Sequence, residues 1–360
     1  IALSTIFCFV SFGGSLAGTI AVAAVCYVLW DITYTIYDVP IWAISSVSSP
    51  DPDEKNSMVT LGKIGGTIGT VIISVGSVSL LNAFGGERST TAYTAAAAVV
   101  AVVGAALMVL SGFVLKERIE PPPKDIPFSR NIHTILDNGP LIALLVSLLI
   151  IDMVNNLRQV SQMYFAVYVW GDSGYVTYIG VSLVLGMITG MAVSPMLISH
   201  FDKKKIFIIA CIAGGISSFL PFPMNAGPVT GLILLGVSFA FTGMTTISST
   251  SMLMDAIDYS EYRLGFRGEG IVFSMNTFLN KLSSTISKGL LGFAMTAMHY
   301  EENMDPTPAV ITGFGAMVYV VPALCFLLAI LPLLLYRLKP AQIEEIQKEL
   351  TDRRQAEKGN

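Results

Sequence analysis

The sequence predicts an all-α membrane protein that crosses the bilayer many times. Of its 360 residues, 53% are hydrophobic and only 13% are charged, whereas an ordinary soluble domain is about 25% charged. The mean hydropathy is +0.68. The net charge of −4 comes from 21 basic and 25 acidic residues, and this even balance does not indicate a nucleic-acid partner.

The apolar runs set the number of predicted helices. Because a helix rises about 1.5 Å per residue, about 20 apolar residues are needed to cross the hydrocarbon core of a bilayer. The first run, Ile1 to Gly13, covers only about half of that distance, so we expect it to be the end of a helix that begins upstream. Nine full crossings are predicted, at 18–47, 58–81, 92–115, 140–169, 175–198, 206–224, 229–254, 269–298 and 309–336.

The loop charges predict the orientation of these helices. Lysines and arginines near the ends of spans are retained on the cytoplasmic side of a membrane. Sixteen of the 21 basic residues fall in alternate loops and in the tail after residue 336, while the opposite loops hold only Arg88. We therefore expect a multi-pass protein of the plasma (inner) membrane with a cytoplasmic C-terminus.

A long cytoplasmic connection divides the predicted helices into two groups. It carries Pro121, Pro122 and Pro123 together with four basic residues, and six predicted spans follow it. Six helices plus six is the simplest parent architecture for such a chain. The predicted organisation is a truncated N-terminal bundle at 1–115, lacking two helices and part of a third, a linker at 116–139, a six-helix bundle at 140–336 and a cytoplasmic amphipathic tail at 337–360.

Two local patterns predict packing surfaces. Ile343, Ile346 and Leu350 recur at i, i+3 and i+7 between charged residues, which predicts a short tail helix with one apolar face. In the second span, two overlapping small-xxx-small pairs, Gly62 with Gly66 and Gly65 with Gly69, would let membrane helices approach closely. The four cysteines stand singly in apolar helices without the spacing of a metal or disulfide site.

The span at 140–169 carries a polar stripe. Its members recur at three- and four-residue spacing, which places them on one face of a helix. Interhelical hydrogen bonding would explain a pair of amides, but five polar residues in register favour a water-filled cavity. Such groups suit a polyhydroxylated ligand, because each sugar hydroxyl both donates and accepts. The stripe consists of Asp152, Asn155, Asn156, Gln159 and Gln162, with Arg158 at its margin, and we predict ligand binding by Asn155, Arg158 and Gln159.

Charged residues interrupt three other apolar runs. Lys281 lies near the centre of its run, where a cation is costly unless it faces a partner or water. Asp38 precedes Pro40, which removes a backbone donor and loosens the helix, and the Trp42 ring one turn away offers a flat face for a sugar ring. Lys63 is near the start of its span, where a lysine can also extend to the interface, so both roles stay open for it.

Two segments around these residues resemble a known transporter family. The first runs from Tyr34 to Trp42 and is followed by an acidic loop and Lys63. The second begins at Met254-Asp255, includes Gly265 to Gly270 and ends at Lys281. They are similar to parts of the glycoside-pentoside-hexuronide cation symporters, the melibiose permease family within the major facilitator superfamily. The resemblance covers essentially the whole chain and implies a two-bundle major facilitator-type fold.

The resemblance implies that the protein is a symporter that takes up a glycoside, pentoside or hexuronide with Na+, H+ or Li+ by alternating access. In melibiose permeases, the residues at the positions of Asp38 and Lys63 hold the sugar, and the tryptophan at the position of Trp42 packs beside it. We place Tyr34, from the same segment, at this sugar site. The family also has a polar pair at the site, which is Asn276 and Thr277 in this sequence.

The resemblance also assigns residues to cation coupling. Thr35 matches a hydroxyl of the family's cation site, Lys281 matches a lysine close to it, and Asp38 belongs to both sites. The family's carboxylates from the second helix are absent from this chain. Lys63 replaces an arginine and loses the planar fork that grips two hydroxyls, which argues against a galactoside. We expect a sugar, a monovalent cation (Na+ or H+) and membrane lipid as partners, with no nucleic acid, no resident cofactor or metal and a monomeric state.

Charges at the cytoplasmic ends of the spans predict an inner gate. Ion pairs there would hold the gate closed and break when it opens, and the acidic loop at 51–55 would face them. Neutralising these charges without slowing uptake would count against the prediction. The predicted gate residues are Asp258, Glu261, Arg263, Arg267 and Glu269.

Two other classes of function were weighed against symport. Within transport, the same fold suits a facilitator or an exporter of another small solute. An intramembrane enzyme would need a metal or nucleophile cluster on facing helices, and no group of His, Cys and carboxylate residues in the sequence has that form. A sensor would need a signalling domain, for which the C-terminal tail is too short. We therefore predict a transporter and not an enzyme.

Overall fold

The fold is entirely helical in the part of the chain that the structure describes. The computed structural model describes residues 1–10, 15–48, 52–86, 89–114, 133, 135–265, 268–301 and 306–358. Most of the predicted linker at 116–139 and the predicted gate residue Arg267 lie outside these residues. The helices are α1 (Ala2–Cys8), α2 (Leu16–Val47), α3 (Pro52–Ala83), α4 (Thr90–Val114), α5 (Gly139–Tyr168), α6 (Tyr175–Ile198), α7 (Lys203–Phe219), α8 (Pro228–Leu264), α9 (Glu269–Ala297), α10 (Pro308–Leu333) and α11 (Pro340–Lys358).

A helix occupies most of each predicted span, and six helices are long and apolar enough to cross a membrane by length and composition. These candidate crossings are Gly18–Trp42 within α2, and α4, α5, α6, α8 and α10. Among the described residues, α3, α7 and α9 do not reach that measure, and α7 has only 17 residues. The structure therefore supports a multi-pass membrane protein without establishing the predicted number of nine crossings.

The chain divides into two units. Unit 1 consists of Ile1–Lys55 and Ile68–Pro121, and unit 2 consists of Asn56–Thr67 and Pro122–Asn360. In unit 1, α1 packs against α2 and α4. The Trp30 indole on α2 donates to the Thr5 hydroxyl on α1 at 3.1 Å, and the Thr94 hydroxyl on α4 donates to the Phe9 carbonyl at 2.6 Å. Side-chain hydrogen bonds thus tie the short first helix to its two neighbours.

Unit 2 has a buried apolar core between its helices. Phe165 on α5, Leu235 and Phe239 on α8, and Val318 and Tyr319 on α10 are all buried in it. Helix α5 packs against α9 and α10, and α8 packs against α6, α7 and α11. Helices α5, α6, α8 and α10 each contribute residues to this core.

An asparagine and a glycine cap two helices in unit 2. The Asn138 side chain accepts a hydrogen bond from the Leu141 amide at 3.0 Å and starts α5. Its amide group also donates to the Ala256 carbonyl at 2.8 Å, which joins the start of α5 to α8. Helix α8 ends at Gly265, whose φ of 72° is the left-handed conformation that glycine adopts without strain.

The close approach of two helices in unit 2 depends on glycine. A Cβ at Gly190 of α6 would overlap the carbonyl oxygen of Ala240, and a Cβ at Gly243 of α8 would overlap that of Met187. The sequence pattern had instead predicted close packing at Gly65 and Gly69 of α3. Among the described residues, a Cβ at either of those two positions would meet no atom within 4 Å. The described contacts therefore do not confirm this packing prediction at Gly65 and Gly69.

Candidate functional site

Asp38 lies within α2 of unit 1, and two aromatic side chains orient its carboxylate. The Tyr34 hydroxyl donates to Oδ1 of Asp38 at 3.2 Å, and the Trp42 indole donates to the same oxygen at 3.1 Å. The three residues are four positions apart and share one helix face. One turn earlier, the Trp30 ring stacks on Tyr34 with centroids 5.5 Å apart. The predicted sugar-binding residues of α2 are thus brought together.

The predicted cation residue Thr35 lies on the same helix. Its hydroxyl donates to the carbonyl of Asp31 at 2.8 Å. Asp31 is a second carboxylate in this candidate span, and sequence reasoning did not single it out. Seven residues separate it from Asp38, so the two lie two turns apart along nearly the same helix line. The interruption of an apolar run, the signal that identified Asp38, would also have identified Asp31.

The polar stripe of α5 contacts α9 within unit 2. Asp152 accepts a hydrogen bond from the Asn280 side chain and lies within Coulombic range of Lys63. The Asn156 amide donates to the Ser283 hydroxyl at 3.1 Å and to the Asp152 carbonyl at 3.0 Å. Part of the stripe therefore makes interhelical hydrogen bonds, which was the simpler explanation of its spacing.

Other members of the stripe keep hydrogen-bonding capacity. The side-chain oxygen of Asn155 is buried and accepts no hydrogen bond from any described residue, although a buried acceptor is nearly always satisfied in a protein. Gln159 is exposed. On α9, the predicted residues Asn276, Thr277 and Lys281 are half-buried. A hydroxylated ligand would find both donors and acceptors on these two helices.

Sequence reasoning missed the residues of α9 that pair with the stripe. Asn280 and Ser283 belong to a second polar series on that helix, together with Asn276 and Ser287. Their spacing of four, three and four residues puts them on one helix face. That regular spacing would have revealed the partner helix, because two polar stripes within a membrane satisfy each other.

The structure gives Arg158 surroundings that differ from the predicted ones. Sequence analysis placed it at the margin of the stripe, but its side chain is 2% exposed and points into the interior of unit 2. Its Nη2 donates to the hydroxyls of Ser218 and Ser238, both at 2.8 Å. These partners come from α7 and α8, and the sequence alone could not bring them to α5. Sugar binding by Arg158 stays a prediction that these contacts do not support.

Two of the described gate residues contact a backbone carbonyl, an aromatic ring or an amide side chain. Arg263 donates to the carbonyl of Asp137 at 3.2 Å, and its guanidinium lies 5.7 Å from the centroid of the Tyr259 ring. Asp258 accepts from the Gln347 side chain of α11 at 3.5 Å. Glu269 is buried. Arg263 thus contacts the segment just before α5, and the gate stays a prediction.

An ion pair that the sequence did not predict joins the half-buried Lys203 of α7 to the buried Asp255 of α8. Lys203 Nζ lies 2.7 Å from Oδ2 and 2.8 Å from Oδ1 of Asp255, which is 3% exposed. The next residue, Lys204, donates to the Tyr336 carbonyl at 2.6 Å. These contacts fasten the ends of three helices of unit 2.

Three known proteins with transporter names are similar to this chain. The symporter YjmB of Bacillus subtilis (strain 168), named as uncharacterized, is 24% identical over 354 residues, 97% of this chain and 77% of that protein. The isoprimeverose transporter of Lactiplantibacillus pentosus is 22% identical over 357 residues, 97% of this chain and 74% of that protein. The crystal structure of a variant of the Escherichia coli fucose:proton symporter FucP has a TM-score of 0.65 at 13% identity, covering 94% of this chain and 82% of that one.

The family of this chain follows from one further match. The MFS/sugar transport protein family matches residues 1–340, and the relatives described above are transporters and not enzymes. The structural likeness shows the fold, and the apolar helices show an integral multi-pass membrane protein. This confirms the sugar-symporter family of the major facilitator superfamily that the two sequence segments predicted. The chain belongs to the MFS/sugar transport protein family.

Proposed function

We propose that the protein is a secondary active transporter that carries a glycoside, pentoside or hexuronide into the cell together with Na+ or H+, by alternating access. The observation that carries this proposal is the carboxylate of Asp38 in an apolar helix, where Tyr34 and Trp42 both donate to it. A carboxylate within a membrane is costly and commonly functional. The indole and phenol rings add flat faces on which a sugar ring can stack.

The remaining proposed sugar-binding residues supply complementary hydrogen-bonding groups. Lys63 is a donor close to Asp152, and the buried side-chain oxygen of Asn155 is an acceptor without a described donor. Amides and hydroxyls that both donate and accept match the hydroxyl groups of a sugar. We assign Asn276, Thr277 and Gln159 to the same role. Arg158 is left out of this assignment because its guanidinium is enclosed in the interior of unit 2.

The proposed coupling rests on Asp38, Thr35 and Lys281. A cation that neutralises a carboxylate relieves the cost of its charge and orders the site for the sugar. By linkage, each ligand then raises the affinity of the other. Moving one positive charge inward along a potential of 100 mV supplies about 2.3 kcal/mol, enough for nearly fifty-fold accumulation. The named relatives include a symporter, which supports coupled transport.

The proposed topology places nine full crossings in the inner membrane with the C-terminus in the cytoplasm. The alternating distribution of lysine and arginine supports this orientation. We also propose that the protein acts as a monomer without a resident cofactor. At the cytoplasmic end, Asp258, Glu261, Arg263 and Glu269 would form the inner gate together with Arg267.

Uptake into vesicles tests the proposed function. Proteoliposomes that contain the full chain are incubated with a radiolabelled glycoside, pentoside or hexuronide. Each sugar is tested under an inward Na+ gradient, under an inward H+ gradient and without a gradient. We expect uptake of at least one of these sugars to be accelerated by one of the two gradients and abolished by the matching ionophore. If no sugar of these three classes enters faster than into protein-free vesicles, the proposal is contradicted.

A further inference from the structure

The guanidinium of Arg158 lies in the interior of unit 2, where it contacts residues of α7, α8 and α10. Its Nη2 donates to Ser218 on α7 and Ser238 on α8, both at 2.8 Å. The guanidinium carbon lies 4.8 Å from the centroid of the Phe239 ring and 6.0 Å from that of Phe326. Two hydroxyls and two aromatic faces therefore surround one half of the guanidinium.

The other half of this guanidinium has no partner among the described residues. Its Nε and Nη1 are buried and make no hydrogen bond there, and none of the ion pairs in the described part involves Arg158. An arginine does not lose its proton in a protein. A buried cation without a counter-charge is strongly unfavourable, and buried charges are normally paired. The positive charge of Arg158 therefore calls for a negative partner.

More unsatisfied hydrogen-bond donors lie near Arg158. Ser161, one turn along α5, and Tyr319 of α10 have buried hydroxyls without a described partner. Tyr319 is within Coulombic range of the guanidinium, and its carbonyl accepts from Ser218, which in turn accepts from Arg158. The indole nitrogen of Trp170 is also unsatisfied, and its ring and the Tyr319 hydroxyl both border Gly231. The unsatisfied groups are thus N–H and O–H groups around a single positive charge.

We propose that Arg158, Ser161 and Tyr319 bind a small monovalent anion, such as chloride, in the interior of unit 2. An anion accepts hydrogen bonds from all of these groups and balances the charge of the guanidinium. A water molecule would accept only some of these hydrogen bonds and would leave the positive charge without a counter-ion. The anion is a structural ligand that fastens α5 to α10, and its binding does not depend on the transported solute.

Halide-dependent stability tests this site. The purified full chain is heated in potassium chloride, potassium bromide or potassium gluconate at one ionic strength. Unfolding is followed by the reaction of a thiol dye with the buried cysteines Cys211 and Cys325. Chloride at ten times its Kd should raise the ratio of folded to unfolded protein about elevenfold, and so raise the unfolding midpoint. Retention of radioactive chloride by the protein should saturate at a single ion per chain.

Variants connect the halide effect to the proposed residues. Arg158→Gln should abolish the dependence on chloride and the retention of radioactive chloride. If this variant does not fold, Tyr319→Phe and Ser161→Ala each remove one hydroxyl with little change of shape, and should weaken chloride binding several-fold. Arg353→Gln, a change of an exposed arginine on α11, should keep the full halide effect. Equal midpoints in chloride and gluconate, or an unchanged chloride effect in Tyr319→Phe and Ser161→Ala, would overturn the proposal.

Discussion

The indole nitrogen of Trp42 donates a hydrogen bond to the Asp38 carboxylate, one turn earlier in α2, at 3.1 Å. Tyr34, one turn before Asp38, donates to the same oxygen. These two donors hold the carboxylate in one orientation before any ligand arrives. A binding group whose rotamer is fixed by its neighbours loses less entropy when the ligand binds.

Removal of the Trp42 donor should weaken sugar binding. Trp42→Phe keeps an aromatic ring but removes the N–H group, and a hydrogen bond to a charged group contributes about 1.5–3 kcal/mol. We expect the KM for sugar uptake to rise about tenfold or more, measured from initial rates at increasing sugar concentration. Trp30→Phe is the matched control, because its indole donates to Thr5 instead. Equal KM values for the two variants would contradict a binding role of Trp42.

The contact between α6 and α8 should not tolerate a side chain at Gly190. Gly190→Ala places a methyl group against the Ala240 carbonyl, and overpacking of this kind costs about 1–3 kcal/mol. We expect a lower unfolding midpoint, read from the reaction of a thiol dye with the buried cysteines. Gly180→Ala in the same helix is the control, since a Cβ there meets no described atom within 4 Å. If both variants unfold at the wild-type temperature, the close approach of α6 and α8 is not as described.

The ion pair between Lys203 and Asp255 should appear in a double-mutant cycle. Lys203→Met leaves the buried charge of Asp255 unpaired and should lower stability by about 3–5 kcal/mol. Asp255→Leu leaves the half-buried Lys203 unpaired and should lower stability by less. The double variant replaces both charges by apolar groups, and should recover most of this loss in thermal unfolding. Lys205→Met changes an exposed lysine and serves as the control. Losses that simply add in the double variant would show that the two residues do not interact.

The tail helix α11 should depend on one leucine for its docking. Leu350 and Ile346 are buried against the rest of unit 2, as the predicted apolar face required. Truncating a buried leucine costs about 2–5 kcal/mol, so Leu350→Ala should make trypsin cleavage within α11 at least about tenfold faster. Glu345→Ala, at an exposed position of the same helix, should leave the rate unchanged. Equal cleavage rates of the two variants would mean that α11 is not held by this face.

The positions of the helices were largely predictable from the sequence, because a run of about 20 apolar residues indicates a helix that can cross a membrane. The ends of the helices were harder to predict. The predicted span at 229–254 belongs to a helix that continues to Leu264. The acidic residue Asp255 suggested an end of the span, but Lys203 from another helix pairs with it. A partner so distant in the sequence has no local signal.

The candidate site could likewise be predicted only in part. The interrupted apolar run identified Asp38, Trp42 lies one turn after it, and the family resemblance added Tyr34; the structure brings these three side chains together. The surroundings of Arg158 could not be predicted, because Ser218 and Ser238 lie on helices whose packing the spacing of α5 does not determine. Periodicity gives the face of a helix, whereas the neighbours of that face depend on the packing of several helices.

The ratio of internal to external sugar in proteoliposomes, under an inward cation gradient and an inside-negative potential, tests the central claim most directly. The proposal predicts that the wild-type protein raises this ratio well above one and that an ionophore returns it to one. Asp38→Asn, which removes the charge and keeps the shape, should not accumulate sugar under either condition. A wild-type ratio that stays at one, or full accumulation by Asp38→Asn, would contradict coupled transport through this carboxylate.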